Sequence, residues 1–274
     1  MKNRITSAIT IILFFVAVVI FNGSFPLALN IAIALISALS VYEIISALGL
    51  SKNYILLVPS LVFSIALPFI EQLLMLQTAY FAYTVVMFGA LIVYHKLVTF
   101  RELGVIYSMA LMIPTALQTI IEIRSSGGAH GMFYVIIAIA SAWIADTGAW
   151  LFGTLFGKHK LCPNISPKKT VEGVIGGFVL NIAAMLLFGY LFEIVYYQRS
   201  VTVSFISLLI IAVCGTGTAI LGDLSFSLIK RSCHIKDFSE MIPGHGGILD
   251  RFDSVIFTAP FVYLLVQVMP IVIK

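Results

Sequence analysis

Long apolar runs alternate with short polar segments along the whole chain. A helix that crosses the hydrocarbon core of a bilayer needs about 20 apolar residues, and most of the runs approach this length. Glycine, proline and charged residues mark the breaks between them. The pattern predicts an all-α, polytopic integral membrane protein with about nine transmembrane helices, at residues 5–21, 27–48, 54–70, 73–95, 102–122, 131–157, 171–196, 203–230 and 251–272.

The composition supports this class. Of the 274 residues, 61% are hydrophobic and 10% are charged, whereas a soluble domain has about 25% charged residues. The mean hydropathy is +1.09. A soluble fold this apolar would expose large hydrophobic patches and aggregate, so we exclude a water-soluble enzyme, a disordered chain and a disulfide scaffold. The net charge of +4 is weak support for nucleic-acid binding, and we expect no nucleic-acid partner.

The basic residues predict the topology. If the N-terminus is placed inside and the predicted helices alternate, thirteen of the 16 Lys and Arg residues fall on the inner side. This bias follows the positive-inside rule and predicts an inner N-terminus and an outer C-terminus. The charged start and first apolar run are similar to a signal peptide. However, residues 21–26 contain no convincing cleavage site, so we interpret the run as a retained first helix.

The two parts of the chain differ in where their charges lie. Residues 1–130 are predicted to form a transmembrane scaffold of about five helices, in which only Glu43 lies deep within a span. Residues 131–274 are predicted to form a catalytic transmembrane region. This region contains two polar cytoplasmic loops, 158–170 and 231–250, which are rich in charged and turn residues.

Cysteines and paired glycines have plain structural explanations. No CxxC or Cys/His ligand spacing occurs at Cys162, Cys214 and Cys233, so we interpret the cysteines as inert thiols. Glycines at small-xxx-small spacing occur at Gly153 and Gly157, and again at Gly173 and Gly177. This spacing is typical of helices that pack closely.

Residues 227–253 concentrate basic side chains and a glycine-rich turn. The cations at the inner interface are Lys230, Arg231 and Lys236. The turn 243–247 places His245 among small residues, whose backbone N–H groups can approach a phosphate closely. Taken singly, the cations are explained by lipid headgroup contacts and His245 by an ordinary turn. Their combination in one segment favours a phosphate site.

Acidic residues accompany these cations. Asp250 and Asp253 are three residues apart at the start of the last span, on one helical face, where they could hold hard cations. Asp146 and Asp223 lie within apolar spans, with Ser227 one turn beyond Asp223. An ionised Asp at membrane depth costs roughly 2.5–3.5 kcal/mol, so it normally pairs, binds a cation or lines a polar cavity. A structural pair with a cation further along the same helix is the alternative for Asp223.

The loop that ends near residue 170 is a second basic segment. Residues 166–167 (Ser-Pro) are predicted to cap the following helix, which places Lys168 and Lys169 where the helix dipole favours anions. Thr170 and Glu172 are candidate cap or phosphate-site groups. An ordinary helix start with a solvated basic loop is the alternative.

At these residues the chain closely resembles the phosphatidate cytidylyltransferases, also called CDP-diacylglycerol synthases. Residues 227–253 fit the pattern of that family, S-x-x-K-R-x4-K-D-x-[GSA]-x3-P-x-H-G-G-x-x-D-R-x-D, at every defined position. The Asp-Thr-Gly-Ala, Ser-Pro-Lys-Lys-Thr-x-Glu-Gly and Gly-Asp-Leu segments are similar too. The specific resemblance covers about residues 146–173 and 222–253, with small departures at Trp150 and 219–220.

The resemblance implies the reaction of CTP with phosphatidate to give CDP-diacylglycerol and pyrophosphate, with Mg²⁺ as cofactor. It also implies a bacterial inner or plasma membrane location, with the active site on the cytoplasmic side. Partners are then CTP, phosphatidate and membrane lipids, while a second cation and a homodimer are left open. The expected roles are catalytic for Asp223, Asp250, Lys230, Arg231, Lys236 and His245, substrate-binding for Lys168, Lys169, Ser227, Asp237, Gly246, Gly247 and Arg251, and metal-binding for Asp223, Asp250, Asp146 and Asp253.

Two other functions are alternatives. A CTP-dependent polyprenol or phytol kinase would share a multi-span fold but transfer the γ-phosphoryl group. A secondary transporter would use Asp146 and Asp223 as ion-coupling sites. Against a transporter, the charges cluster at one membrane face and the chain contains no evident inverted repeat.

Overall fold

A computed structural model describes residues 2–244 and 246–273, and the side chains of these residues apart from 2–9, 11 and 12. Within those ranges the chain is mainly helical. Its α-helices are α1 Lys2–Phe21, α2 Leu27–Ala47, α3 Tyr54–Ala66, α4 Leu73–Val93, α5 Phe100–Ser126, α6 Gly131–Phe156, α7 Val171–Leu191, α8 Phe205–Ser232 and α9 Leu249–Val268. Short 3-10 turns lie at Leu67–Phe69 and Gly128–His130, and α7 continues as a π-helical turn at Phe192–Tyr196.

The predicted class, an all-α polytopic membrane protein, is confirmed. Seven helices of the described residues are long and apolar enough to cross a membrane, namely α2, α4, α5, α6 with its preceding 3-10 turn, α7 with its π turn, α8 and α9. The apolar helix at Tyr54–Phe69 is shorter. Each predicted span coincides with one of the helices to within a few residues. Nine crossings and an inner N-terminus remain predictions.

The end of α2 shows how local sequence stops a helix. Gly49 adopts a positive φ of 75°, which a residue without a Cβ reaches without strain. Its N–H donates to the Ser46 carbonyl at 2.9 Å, and the Leu50 N–H donates to the Ile45 carbonyl at 3.0 Å. This Schellman arrangement satisfies the last carbonyls of the helix.

Two small antiparallel sheets accompany the helices. Strand β1, Lys160–Cys162, pairs with β2, Ser166–Thr170, and β3, Thr202–Val203, pairs with β4, Val272–Ile273. The predicted loop 158–170 is therefore largely a β-hairpin, closed by a turn that begins with Pro and Asn. The last helix ends at Val268, so the predicted end of that span was about four residues too late.

The chain divides into two compact units. The first comprises residues up to Gln118 together with Cys233–Arg251, and the second comprises Thr119–Ser232 together with residues from Phe252 onward. The predicted division into a scaffold, 1–130, and a catalytic region, 131–274, concerns where the chemistry lies and stays a prediction.

Glycines bring α6 and α7 together in the second unit. A Cβ on Gly148 would lie 3.0 Å from the Gly177 Cα, and a Cβ on Gly173 would lie 2.5 Å from the Ala149 carbonyl oxygen. A Cβ on Gly157 would lie 2.8 Å from the Thr170 Oγ1. The close packing predicted from the glycine spacing is confirmed, because a larger side chain at these positions would separate the backbones.

A buried polar contact joins three helices of the second unit. Asn181 of α7 is fully buried, and its Nδ2 donates at 3.0 Å to the Ser141 Oγ of α6. The same nitrogen lies 3.0 Å from the Thr216 Oγ1 and 3.2 Å from the Ala212 carbonyl oxygen, both on α8. Such interhelical hydrogen bonds strengthen helix packing in an apolar medium.

Candidate active site

Three of the predicted aspartates lie in the second unit. Asp146 is on α6, Asp223 on α8 and Asp253 on α9. Asp253 is 5% exposed, and its carboxylate lies close enough to those of Asp223 and Asp146 to interact electrostatically with each. These like charges, held together in a mostly apolar unit, require cations beside them.

Two lysines provide those cations. The Lys230 Nζ lies 3.8 Å from the Asp253 Oδ2, and the two side chains are only 9% and 7% exposed. The Lys169 ammonium forms an ion pair with the Asp223 carboxylate. The Ser227 Oγ also donates to the Asp223 Oδ1 at 3.4 Å. Asp223 is therefore paired with a cation from β2, in addition to any cation of its own helix that the sequence offered as a partner.

A glycine lets α8 and α9 approach at this point. A Cβ on Gly222 would lie 2.5 Å from the Asp253 carbonyl oxygen and 3.2 Å from the Ser254 Cα. Gly222 directly precedes Asp223, so the close backbone contact places the two carboxylates next to each other. The Gly-Asp sequence thus provides the close helix contact at Gly222 and a carboxylate at Asp223.

The β-hairpin positions Lys169. Along β2, Lys168 is exposed while Lys169 is half-buried. Thr170 ends the strand in an extended conformation, and its Oγ1 accepts the Gly173 N–H of α7 at 3.1 Å. The prediction that residues 166–167 cap this helix was wrong. They lie within the strand, and the residue that changes from extended to helical backbone is Thr170.

Glu172 and Arg231 hold the two ends of the hairpin through hydrogen bonds. The Glu172 carboxylate accepts the Lys158 N–H at 3.0 Å and the His159 N–H at 3.2 Å, and it contacts the His159 Nδ1 at 2.6 Å. The Arg231 Nε donates to the Ile165 carbonyl at 3.4 Å. Of the two roles that the sequence left open for Glu172, the geometry favours the structural one.

In the first unit, Asp250 organises the segment that precedes it. Its Oδ2 accepts the backbone N–H groups of Phe238 and Gly247, each at 2.9 Å, and the residue is buried. Asp250 lies in the first turn of α9, where a negative charge also suits the helix dipole. Its predicted catalytic and metal-binding roles stay predictions, to which the structure adds this structural one.

The glycine-rich turn needs its glycines. Gly244 and Gly246 have φ values of 79° and 82°, in the left-handed region that side chains disfavour. A Cβ on Gly246 would also lie 2.9 Å from the Asp250 Oδ2. The Ile242 N–H donates to the Gly246 carbonyl at 2.9 Å and closes the turn. His245, a predicted catalytic residue, lies outside the described residues.

Sequence reasoning missed Glu43 as part of the site region. Its carboxylate, on α2 in the first unit, is 1% exposed. It accepts the Ser239 hydroxyl at 2.6 Å, the Ile248 N–H at 2.9 Å and the Leu249 N–H at 2.8 Å. The signal that could have found it is its isolation, because an acid deep within an apolar span normally has a specific partner.

The other predicted residues divide between exposed and half-buried positions. Arg251 is half-buried in the first unit. The side chains open to solvent are Lys168, Arg231, Lys236 and Asp237. Their predicted contacts with substrate remain predictions.

The donor groups fit a magnesium ion that is shared with a phosphate. Among the residues that the structure describes, no group of three or more His, Cys, Asp or Glu side chains is arranged to hold a metal. Mg²⁺ needs fewer protein ligands, because it commonly binds one or two carboxylates together with water and substrate phosphates. Asp223 and Asp253, with Asp146 close by, offer oxygen ligands of this kind.

Comparison with known proteins relates the chain to a family of nucleotide-dependent enzymes. Residues 2–269 match the cytidylyltransferase family. The chain is 40% identical over 167 residues to the phosphatidate cytidylyltransferase of Bacillus subtilis (strain 168), which covers 61% of this chain and 59% of that protein. It is 41% identical over 140 residues to the phosphatidate cytidylyltransferase of Staphylococcus saprophyticus, covering 51% of each. The corresponding Staphylococcus aureus (strain COL) protein is 42% identical over 136 residues, covering 50% of each. These matches span about half the length of the curated relatives.

Replacing Gly222 by Ala should separate α8 from α9, since the new Cβ would lie 2.5 Å from the Asp253 carbonyl oxygen. Overpacking of this kind costs about 1–3 kcal/mol, so the melting temperature in detergent should fall by several degrees. Gly217→Ala is the matched control, because its Cβ on the same helix would meet nothing within 4 Å. Equal melting temperatures for the two variants would contradict the close approach.

Proposed function

Because the chain belongs to the cytidylyltransferase family, we propose that it transfers the cytidylyl group of CTP to phosphatidate, giving CDP-diacylglycerol and pyrophosphate for phospholipid biosynthesis. The observation that carries the proposal is the cluster of the second unit, in which Asp146, Asp223 and Asp253 lie beside Lys169 and Lys230. Carboxylates beside lysines suit a metal-bound polyphosphate, and the apolar surroundings suit a lipid substrate. The names of the relatives agree with this activity.

The reaction is an in-line substitution at the α-phosphorus of CTP. An oxygen of the phosphatidate phosphate forms the new P–O bond, while the bond from the α-phosphorus to the oxygen that bridges it to the β-phosphate breaks. Pyrophosphate leaves with the electron pair of that bond. Because the attacking phosphate is already ionised near pH 7, the chain need not supply a strong general base. Its contribution is then mainly positioning and charge stabilisation.

The lysines and arginine neutralise the phosphates. An ammonium group has three N–H donors, so Lys169 and Lys230 can keep their carboxylate contacts and still donate to phosphate oxygens. The Arg231 side chain is exposed at the end of the same helix as Lys230. These cations would stabilise the charge that develops on the pyrophosphate, which lowers the barrier to its departure.

The proposed cofactor is Mg²⁺, held by Asp223 and Asp253 with Asp146 in support. Bound there, it would supply positive charge to the CTP phosphates and fix their orientation. Asp223 would hold its ligand orientation through the Ser227 hydroxyl, and Asp253 through its Oδ1, which accepts the Ser254 N–H at 2.8 Å. The involvement of Asp250 as a further ligand remains part of the proposal.

The proposed location is the bacterial inner or plasma membrane, with the site on the cytoplasmic side. Several apolar helices support an integral membrane protein. The positive-inside bias of the Lys and Arg residues supports placing Lys169 and Lys230 on the cytoplasmic face. CTP in the cytoplasm would then reach the site without crossing the membrane.

The position of the transferred phosphorus separates this proposal from a lipid kinase. Purified protein in detergent with phosphatidate, Mg²⁺ and CTP labelled at the α-phosphorus should produce a labelled lipid. The same mixture with CTP labelled at the γ-phosphorus should leave the lipid unlabelled and release labelled pyrophosphate. Label from the γ-phosphorus in the lipid, or in a polyprenol or phytol acceptor added to the same mixture, would favour a kinase, and no label from either phosphorus would contradict both.

Replacing Asp223 by Asn should abolish turnover with expression retained. The change removes the charge but keeps the size of the side chain, so the ion pair with Lys169 and the proposed metal contact are both lost. The rate at which the labelled lipid forms should fall by at least about a thousandfold, as for other groups that stabilise transition-state charge. The exposed Glu71, replaced by Gln, is the control for loss of one acidic charge. Near-normal activity of the Asp223→Asn variant would contradict the proposed role.

A further inference from the structure

We propose that Glu43 is a positioning residue, which holds the glycine-rich turn and the start of α9 in the conformation that binds the phosphates of CTP. The inference rests on the proposed function, because it assigns the turn a nucleotide phosphate as ligand. Glu43 itself does not touch the substrate in this account. It acts from α2 through the segment 238–249, and all of these residues belong to the first unit.

The first argument comes from the helix start. The first backbone N–H groups of any helix have no carbonyl partner within it and need another acceptor. In α9 the Leu249 N–H donates to the Glu43 Oε2 at 2.8 Å, and the preceding Ile248 N–H donates to the Oε1 at 2.9 Å. The carboxylate therefore caps α9 from a different helix, and its negative charge complements the dipole of α9.

The second argument comes from Gly247. A Cβ at this position would lie 2.4 Å from the Glu43 Oε2 and 2.6 Å from the Oε1. The carboxylate thus occupies the space that a side chain at residue 247 would need. Its contact explains why a glycine stands here, although Gly247 is not among the glycines with a positive φ.

The third argument is that two buried carboxylates hold the same segment at neighbouring residues. Asp250 accepts the N–H groups of Phe238 and Gly247, while Glu43 accepts the hydroxyl of Ser239 and the N–H of Ile248. The two ends of the segment are thereby fixed. Between them, Pro243 and Gly244 are exposed.

The geometry requires a carboxylate and not merely a polar side chain. Replacing Glu43 by Gln converts one of the two oxygens into an NH₂ donor. If this group takes the Oε2 position it faces the Leu249 N–H, and if it takes the Oε1 position it faces the Ile248 N–H. In either orientation one backbone donor, buried at Leu249 or half-buried at Ile248, loses its acceptor, which is unfavourable.

The test compares wild type with Glu43→Gln, Ser239→Ala and the control Glu71→Gln, whose acid is exposed in the same unit. Steady-state kinetics with CTP and phosphatidate are combined with hydrogen exchange of the peptide that covers residues 238–250. Glu43→Gln should raise the KM for CTP about tenfold and leave the KM for phosphatidate unchanged, because it loosens only the turn. Ser239→Ala should have a smaller effect in the same direction, and Glu71→Gln none.

Exchange at Ile248 and Leu249 should be faster in Glu43→Gln than in wild type and the control. An unchanged KM for CTP together with unchanged exchange would overturn the proposal, and so would equal changes in both KM values. If Glu43→Gln does not fold, the Ser239→Ala variant decides by the same two measurements. A wild type that turns over no CTP would refute the proposed function instead, while the exchange data would still decide whether Glu43 holds the turn.

Discussion

The structure depends on how buried charged side chains are stabilised within a mostly apolar chain. Removing an ionised group from water costs several kcal/mol even after the protein relaxes, and an opposite charge recovers this only in good geometry. In the second unit Lys230 and Asp253, each less than a tenth exposed, form a pair of opposite charges with 3.8 Å between the Lys230 Nζ and the Asp253 Oδ2. Gly222 contributes to it, because a larger residue would push α8 away from α9. The packing of α8 against α9 therefore also determines where these charges lie.

In the first unit, backbone N–H donors stabilise two buried carboxylates. Glu43 and Asp250 are buried, and both accept N–H groups from the segment that leads into α9. The two acids and the segment stabilise each other, since the carboxylates gain donors and the irregular backbone gains acceptors. The glycines at 246 and 247 permit the close approach.

The sequence predicts where the helices lie, but it predicts only some of the contacts between them. Hydropathy placed the spans because each helix is a continuous apolar run, and glycine spacing correctly predicted the close packing of α6 and α7. The β-hairpin was missed, because strands of three and five residues carry little periodic signal. The partner of Asp223 was also missed. Local spacing suggested cations on the same helix, whereas Lys169 comes from a distant strand.

Glu43 shows the same limit of local sequence patterns. It was noticed as an acid deep in a span, yet its partners lie about 200 residues further along the chain. Contacts at such separation are set by tertiary packing, which no local pattern encodes. The motif that carries the family resemblance is readable because its groups fall within one short segment.

We infer that the second unit keeps its buried ion pair for catalysis and not for stability. The double variant Lys230→Met and Asp253→Asn removes both charges at nearly constant volume, which often leaves stability unchanged or increased. Its melting temperature in detergent and its turnover of CTP with phosphatidate should be measured beside wild type and both single variants. The account predicts a double variant at least as stable as either single variant, with a melting temperature near that of wild type and no turnover. A double variant that keeps turnover, or that no longer folds, would contradict it.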